Sequence, residues 1–546
     1  MNGTDKGRAA IKTQFLTTKE KFHELLDSGG KGPNEDKASD DAGPKEKAED
    51  SLEEPQEKKF KVDPDEQEST GKQDSKRMRG QNKSRPHMKP TSYDNRRLCP
   101  SIIQERETKC VYGDKCKFVH DVAEYMALKP ADVGEHCYLY DTFGKCHYGL
   151  SCRFAQAHTS VDLKNLANEE LVKAMEGKTP VRNSLDKDLQ WRLRKKVVPF
   201  TVSDAYMKTI FKGGHKAGEG WKKAATAENG KARQVCHFSY TVAKFYISKL
   251  RHESEDLFGV QVEGCFPDTM TRCAELLNNK IDVDFVDINS GCPIDLVYKK
   301  GGGCGLMTRT NKFEQIIRGM NSVLDVPLTV KIRTGVQEKA NIAHKLIPEM
   351  KKWGVSMITL HGRSREQRYT KSADWDYINT CSQLASPIPL FGNGDILSYY
   401  DAMKARETEV SGIMLARGAL IKPWVFTEIK ERRDWDISSS ERLDVLRDFT
   451  HYGLEHWGSD TQGLEKTRNF LLEWLSFMCR YIPVGLLERV PQRINERPPY
   501  YMGRDYLESL MASQHVGDWI KISEMLLGPV PKNFNFLPKH KANAYK

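Results

Sequence analysis

Between Asp256 and Glu428 short β-branched runs alternate with amphipathic stretches of helical period, and this rhythm restricts the fold more than any other feature. The strand candidates are residues 258–262, 283–288, 328–332, 357–361, 389–391 and 411–415. Helical patterns separate them, as at 268–279, 312–323 and 342–353. Strands interleaved with helices of this length imply a parallel sheet. The strand ends are polar: Gln261, Cys292, Lys331 with Arg333, His361-Gly-Arg363, Asn393-Gly-Asp395 and Ala416-Arg417-Gly418. Polar groups gathered at the C-terminal ends of successive strands mark the mouth of a (β/α) barrel rather than an open sheet.

Cys292 stands out among these groups. The run from Val283 to Ile288 suits a buried parallel strand, and it ends in the tight turn Asn289-Ser-Gly-Cys-Pro293, which holds a thiol at the mouth. We read Cys292 as the acid of an enzyme. Gly301-Gly-Gly303 follows, a stretch without side chains that lets a flat or anionic ligand approach closely. The last two strand ends are Gly-rich and followed by helices, which suits a phosphate held at backbone N–H groups and a helix N-terminus.

Ahead of the barrel lie two cysteine clusters. Cys99, Cys110, Cys116 and His120 have the spacing C-x10-C-x5-C-x3-H, and Cys137, Cys146, Cys152 and His158 have C-x8-C-x5-C-x5-H. Three thiolates and an imidazole complete a closed, structural tetrahedral zinc shell. Segments this short cannot build a core unaided, so metal binding would supply their folding energy. His147 competes with His158 as the fourth ligand of the second cluster. Tyr112, Phe118, Tyr148 and Phe154 could stack on bases, with Lys115, Lys117 and Arg153 beside them for phosphates, or could fill the small finger cores.

The remaining sequence divides around these parts. Residues 1–95 form a charged tail of disordered composition apart from a short helix near 17–26; Lys76-Arg77-Met78-Arg79 is a basic patch or simply a solvated charge run. The fingers occupy 96–160 and a linker with an anomalous segment 161–250, with helical patterns at 163–176 and 185–196. The barrel occupies 251–430, a C-terminal all-α domain 431–530 and a tail 531–546. Arg489, Arg493, Arg497 and the Pro498-Pro-Tyr-Tyr501 turn could give the helical domain a basic, aromatic surface for RNA, or an ordinary solvated face. A net charge of +10 favours a polyanionic partner. With no apolar run of about 18 residues and no secretory signal, we expect an intracellular protein, in cytoplasm or nucleus, with reduced cysteines, no membrane and a monomeric state.

The stretches Asp287-Ile-Asn-Ser-Gly-Cys-Pro293, Val330-Lys-Ile-Arg-Thr-Gly335, His361-Gly-Arg-Ser-Arg-Glu-Gln367 and Asn393-Gly-Asp395 resemble the signatures of the tRNA-dihydrouridine synthases, and the paired clusters resemble CCCH zinc fingers. The resemblance covers 95–211 and 249–546 and the short stretch at 17–26. It implies a TIM-type barrel that binds FMN, is reduced by NADPH, and delivers hydride to C6 of a flipped uracil in tRNA. The target would be position 47 of the variable loop, with mRNA a second substrate. By the same resemblance Cys292 protonates C5, and Gln261, Lys331 and His361 contact the flavin ring. Asn393, Gly394, Asp395, Ala416 and Arg417 would hold the phosphate and ribityl end. A thiol acting as a proton donor must be neutral, so the pKa of Cys292 is expected at or above its ordinary value.

One segment departs from the family. Its first barrel strand, with an Ala-Pro-Leu-Thr type turn, has no counterpart between Lys212 and Lys249, and six strands are legible where closure takes eight. Residues 197–202 and 235–247 are candidate replacements. The barrel is therefore expected to be incomplete at its first strand. The competing reading is an RNA-binding protein whose catalysis is impaired by that loss.

Overall fold

A computed structural model of the chain describes residues 7–29, 97–103, 110–176, 181–184, 187–195, 197–212, 248–251, 255–367, 369, 371–532 and 534–539. The basic run at 76–79, most of the charged tail and the strand candidate at 235–247 lie outside them.

Six strands form one parallel sheet in chain order: β1 (Gly259–Val262), β2 (Phe285–Asn289), β3 (Leu328–Arg333), β4 (Met357–His361), β5 (Leu390–Asn393) and β6 (Gly412–Met414). Helices Pro267–Lys280, Thr310–Asn321, Ala343–Trp353, Trp375–Ala385 and Tyr399–Arg406 connect them. Covered on both faces, β2 to β4 read as nearly continuous apolar runs, and Val286, Ile288, Val330, Ile332, Ile358 and Leu360 are fully buried. Each such side chain contributes about 1.5–3 kcal/mol on burial. β6 is only half-buried throughout. Among the described residues β1 and β6 each pair on one side alone. A separate antiparallel ribbon joins Val181–Ser184 to Ser248–Arg251.

Residues 197–202 are not a replacement strand, because a helix, Thr201–Lys212, begins within them. Its polar first turn finds partners on the outer layer: Ser203 N donates to Glu275 Oε2 at 2.9 Å and Asp204 accepts from Arg272 at 2.9 Å. These bonds override the strand preference of Val197-Val198. The helix expected over 163–176 shrinks to Glu169–Ala174, because Leu163 has φ +59° and Asn168 caps the later start.

Helices Ser439–Trp457, Thr461–Met478 and Val516–Leu527 pack through Leu446, Leu464, Leu471, Leu475 and Trp519. A reciprocal cap, Ser438 with Glu441, starts the first of them. The second cysteine cluster joins this same core through Cys137, Leu139, Cys152 and Phe154. The short helix Lys19–Asp27 also lies on it, burying Phe22 and Leu26. Among the described residues no helix is long and apolar enough to cross a membrane.

Candidate active site and metal sites

The C-terminal ends of β2 to β6 enclose a cavity of about 270 Å³. Its wall includes Cys292, Lys331, Arg333, His361, Arg363, Tyr369, Asn393, Gly394, Asp395, Ala416 and Arg417. Eight of the nine expected barrel residues therefore meet in one place.

Local chemistry explains how the thiol is presented. Asn289, the last residue of β2, turns its side chain back, and its Oδ1 accepts from the N–H groups of Gly291 at 3.1 Å and Cys292 at 3.0 Å. Such an Asx turn fixes the chain direction beyond the strand. Arg333 holds the same loop by donating from Nε to Gly291 O at 2.6 Å. Burial pushes the Cys292 thiol up to about 11, reinforced by the Glu263 carboxylate and opposed by the Ile294 N–H. The thiol is neutral at physiological pH.

Gly301-Gly-Gly303 does not face the cavity, contrary to its expected role. A Cβ on Gly303, at φ +51°, would lie 2.8 Å from Cys292 Cβ, and one on Gly301 would meet the Arg309 guanidinium. These glycines permit close packing of the chain on itself behind the thiol.

Gln261 is likewise not on the cavity wall. Its Nε2 donates to Asp287 Oδ2 at 2.6 Å and its Oε1 accepts from Asn289 Nδ2 at 3.1 Å, while Thr329 donates to Asp287 Oδ1 at 2.6 Å. This buried layer lies inside the barrel and braces the residue that forms the Cys292 turn. Burial and the Arg333 charge lower Lys331 to about 8, with Asp287 opposing the shift. His361 falls well below its ordinary value through burial and the charges of Arg333, Lys331, Arg363 and Arg417, so its ring is neutral.

The far side of the cavity carries a clamp of cations. Asp395, at φ +52°, accepts from Arg363 at 2.6 Å and Arg417 at 3.3 Å. Both guanidiniums lie over the Tyr369 ring, at 5.5 and 4.5 Å from its centroid. Arg333, Arg363 and Tyr369 were not among the expected ligand residues; the first two were legible as strand-end cations, whereas Tyr369 lies on a loop without periodic signal. Asn393 donates to Met414 O at 2.8 Å, joining β5 to β6. The helix after Asn393-Gly-Asp395 does not offer a free N-terminus, because Ser398 and Asp401 cap it reciprocally. A Cβ on Gly418 would fall 1.9 Å from Ile396 O, so this backbone approach requires glycine.

Both cysteine clusters assemble. The candidate ligand atoms of Cys99, Cys110, Cys116 and His120 lie within 4.8 Å of one another, as do those of Cys137, Cys146, Cys152 and His158. His158, not His147, completes the second. Its Nδ1 bonds Asn165 Oδ1 at 2.9 Å, while its buried Nε2 has no hydrogen-bond partner. A lone pair aimed among three sulfurs fits zinc, and a second hydrogen bond fixing the ring is the usual companion of a metal-bound histidine. Asn165, which also donates to Cys146 O at 2.9 Å, escaped sequence reading because nothing in its spacing distinguishes it.

The second finger is not free to stack on bases. Phe154 and Arg153 are buried, Arg153 donating to Ala131 O at 2.9 Å. Tyr148 packs on Gly458, and Tyr138 stacks on His451 at 4.3 Å. Tyr112, Phe118, Lys115 and Lys117 of the first finger remain exposed.

A parallel barrel sheet with a neutral thiol and a cation clamp at its mouth, preceded by two CCCH clusters, defines a barrel enzyme with attached metal-binding modules. The description "Dihydrouridine synthase (Dus)" matches residues 237–471, and "DUS3L CCCH zinc finger domain" matches 95–128 and 129–161. Relatives named tRNA-dihydrouridine(47) synthase NAD(P)(+)-like include one from Xenopus laevis, 57% identical over 99% of this chain and 97% of its own length. The one from Homo sapiens is 54% identical over 99% of this chain and 96% of its length. The chain belongs to the dihydrouridine synthase family and is an oxidoreductase. Its alignment with the Xenopus laevis relative runs over 622 positions against 546 residues here, so that relative carries stretches this chain lacks.

Proposed function

We propose that this chain reduces a uridine of tRNA, at position 47, to 5,6-dihydrouridine with FMN and NADPH. The reading rests above all on Cys292, a neutral thiol on the wall of a cavity that also carries Lys331, Arg333, Arg363 and Arg417. Bound FMN, reduced by NADPH, would supply the hydride that reaches C6 of the uracil. Cys292 then donates its proton from Sγ to C5, leaving a thiolate that regains a proton from solvent. A neutral donor is what this step needs. Lys331 would place positive charge beside the flavin ring, and the neutral His361 would offer it a hydrogen bond without adding charge. Arg417 and Arg363, both held by Asp395, would hold the phosphate end of the cofactor, with Asn393, Gly394 and Ala416 shaping that wall. Gln261 acts one layer below by bracing Asn289.

A uracil must leave the tRNA stack to reach this cavity, at a cost of a few kcal/mol that contacts to the tRNA body offset. The exposed first finger suits that task, and zinc would stabilise the second finger where it packs on the helical region. An RNA substrate also accords with residence in cytoplasm or nucleus and with mRNA as a second substrate. The names of the relatives and the intact set of cavity residues favour catalysis over an RNA-binding role alone. The absorbance spectrum of the purified chain, titrated with FMN, tests the cofactor reading. A flavin band bleached by NADPH is expected; a protein that FMN cannot reconstitute would overturn it.

A further inference from the structure

The segment 7–17, at the opposite end of the chain from the helical region, is bound along a loop that reaches the cavity. Ala9 N donates to Arg497 O at 3.1 Å, Arg497 N to Gly7 O at 2.9 Å, Glu488 N to Ala10 O at 2.9 Å and Lys12 N to Leu486 O at 3.0 Å. Further along, Met502 N donates to Phe15 O at 2.8 Å and Thr17 N to Tyr500 O at 3.1 Å. Ile11 and Ala9 are buried in the helical core, so the strap is anchored by side chains as well as backbone.

The loop it holds carries Ile494, which lies on the cavity wall, and beside it the exposed residues Arg489, Arg493 and Arg497. Arg8 of the strap is exposed too, and its backbone is bridged to that of Arg497. Glu488 and Glu496 lie on the same loop, and Glu496 accepts from the backbone N–H of Arg493. Among the described residues no ion pair neutralises the four guanidiniums. Exposed guanidiniums beside a pocket for a nucleobase suit the phosphates flanking that base.

We infer that the strap is part of the RNA site: it holds the arginine loop over the cavity rim and adds Arg8 to a phosphate-binding surface built from both ends of the chain. The inference rests on the proposed action on tRNA. It makes Arg8 a phosphate contact and Ala9 a positioning residue that touches no RNA.

The test measures tRNA affinity of the full chain at several salt concentrations. Arg8→Ala should weaken binding several-fold and lower the slope of log affinity against log salt by about one. Arg8→Lys, which keeps the charge, should restore most of the slope. Ala9→Pro removes the N–H bonded to Arg497 O; it should weaken binding and lower the slope although no charge is lost. Thermal melting near the wild-type temperature shows that Ala9→Pro folds, and if it does not fold the Arg8 pair decides. Variants that match a wild type able to bind and reduce tRNA would overturn this inference alone. A wild type that binds no tRNA would overturn the proposed function with it.

Discussion

Cys292 and Lys331 carry the sharpest expectations at the scale of single residues. Cys292→Ala should lower the rate of dihydrouridine formation by about 10²–10⁴ while tRNA affinity stays within about twofold of wild type, measured by single turnover beside filter binding. Equal turnover in that variant would remove the acid role. The two residues also divide the pH dependence. Lys331 is charged below about 8 and loses its proton as pH rises through that value. The thiol of Cys292 stays protonated to about 11. FMN affinity should therefore fall above pH 8 while the thiol is still intact. Lys331→Arg, whose guanidinium keeps its charge, should flatten that profile; a fall that persists in the variant would assign the titration elsewhere. The strand-end polar residues were legible because they interrupt apolar runs at the end where barrels do chemistry. The buried role of Gln261 was not legible, since its bonds to Asp287 and Asn289 depend on β1 and β2 being neighbours.

At the scale of elements, the strands emerged from the sequence because helices cover their outer face and the barrel interior the other, leaving apolar runs with sharp ends. Residues 197–202 misled because bonds from Ser203 and Asp204 to a distant helix outweigh local β preference. In the second finger both readings of the aromatics were open, and Tyr148 and Phe154 take the packed one, against the core of Ser439–Trp457 and Thr461–Met478, while Arg153 is buried and bonded to Ala131 O. The two fingers should respond differently to metal loss. Cys152→Ser should lower the melting temperature, because the second site is continuous with the helical core, whereas Cys116→Ser should weaken tRNA binding with little change in melting. Calorimetry and binding on both variants check this, and the reverse pattern would exchange the roles. Asn165→Ala should reduce zinc affinity about 10–100-fold through loss of the bond that fixes His158, read by competition with a chelator. Gly418→Ala, whose Cβ must displace the Ile396 carbonyl, should cost about 1–3 kcal/mol and lower FMN affinity, checked by denaturant melts and flavin titration.

The whole molecule brings its parts together on one face of the barrel mouth. The strap from the N-terminal region holds the loop whose Ile494 lines the cavity, while the second finger packs on the same helical core that carries the loop. That convergence was invisible in the sequence, where Ala9 and Arg497 are separated by nearly the whole chain. Composition favoured a polyanionic partner through the net charge of +10, but could not say where the charge gathers. The six strands in chain order carry the full row of strand-end groups from Cys292 to Arg417. The most direct measurement is nucleoside analysis of unmodified tRNA after incubation with the full chain, FMN and NADPH. The account predicts dihydrouridine at position 47 with the wild type and its near absence with Cys292→Ala. No dihydrouridine from a wild-type chain that binds the tRNA would contradict it.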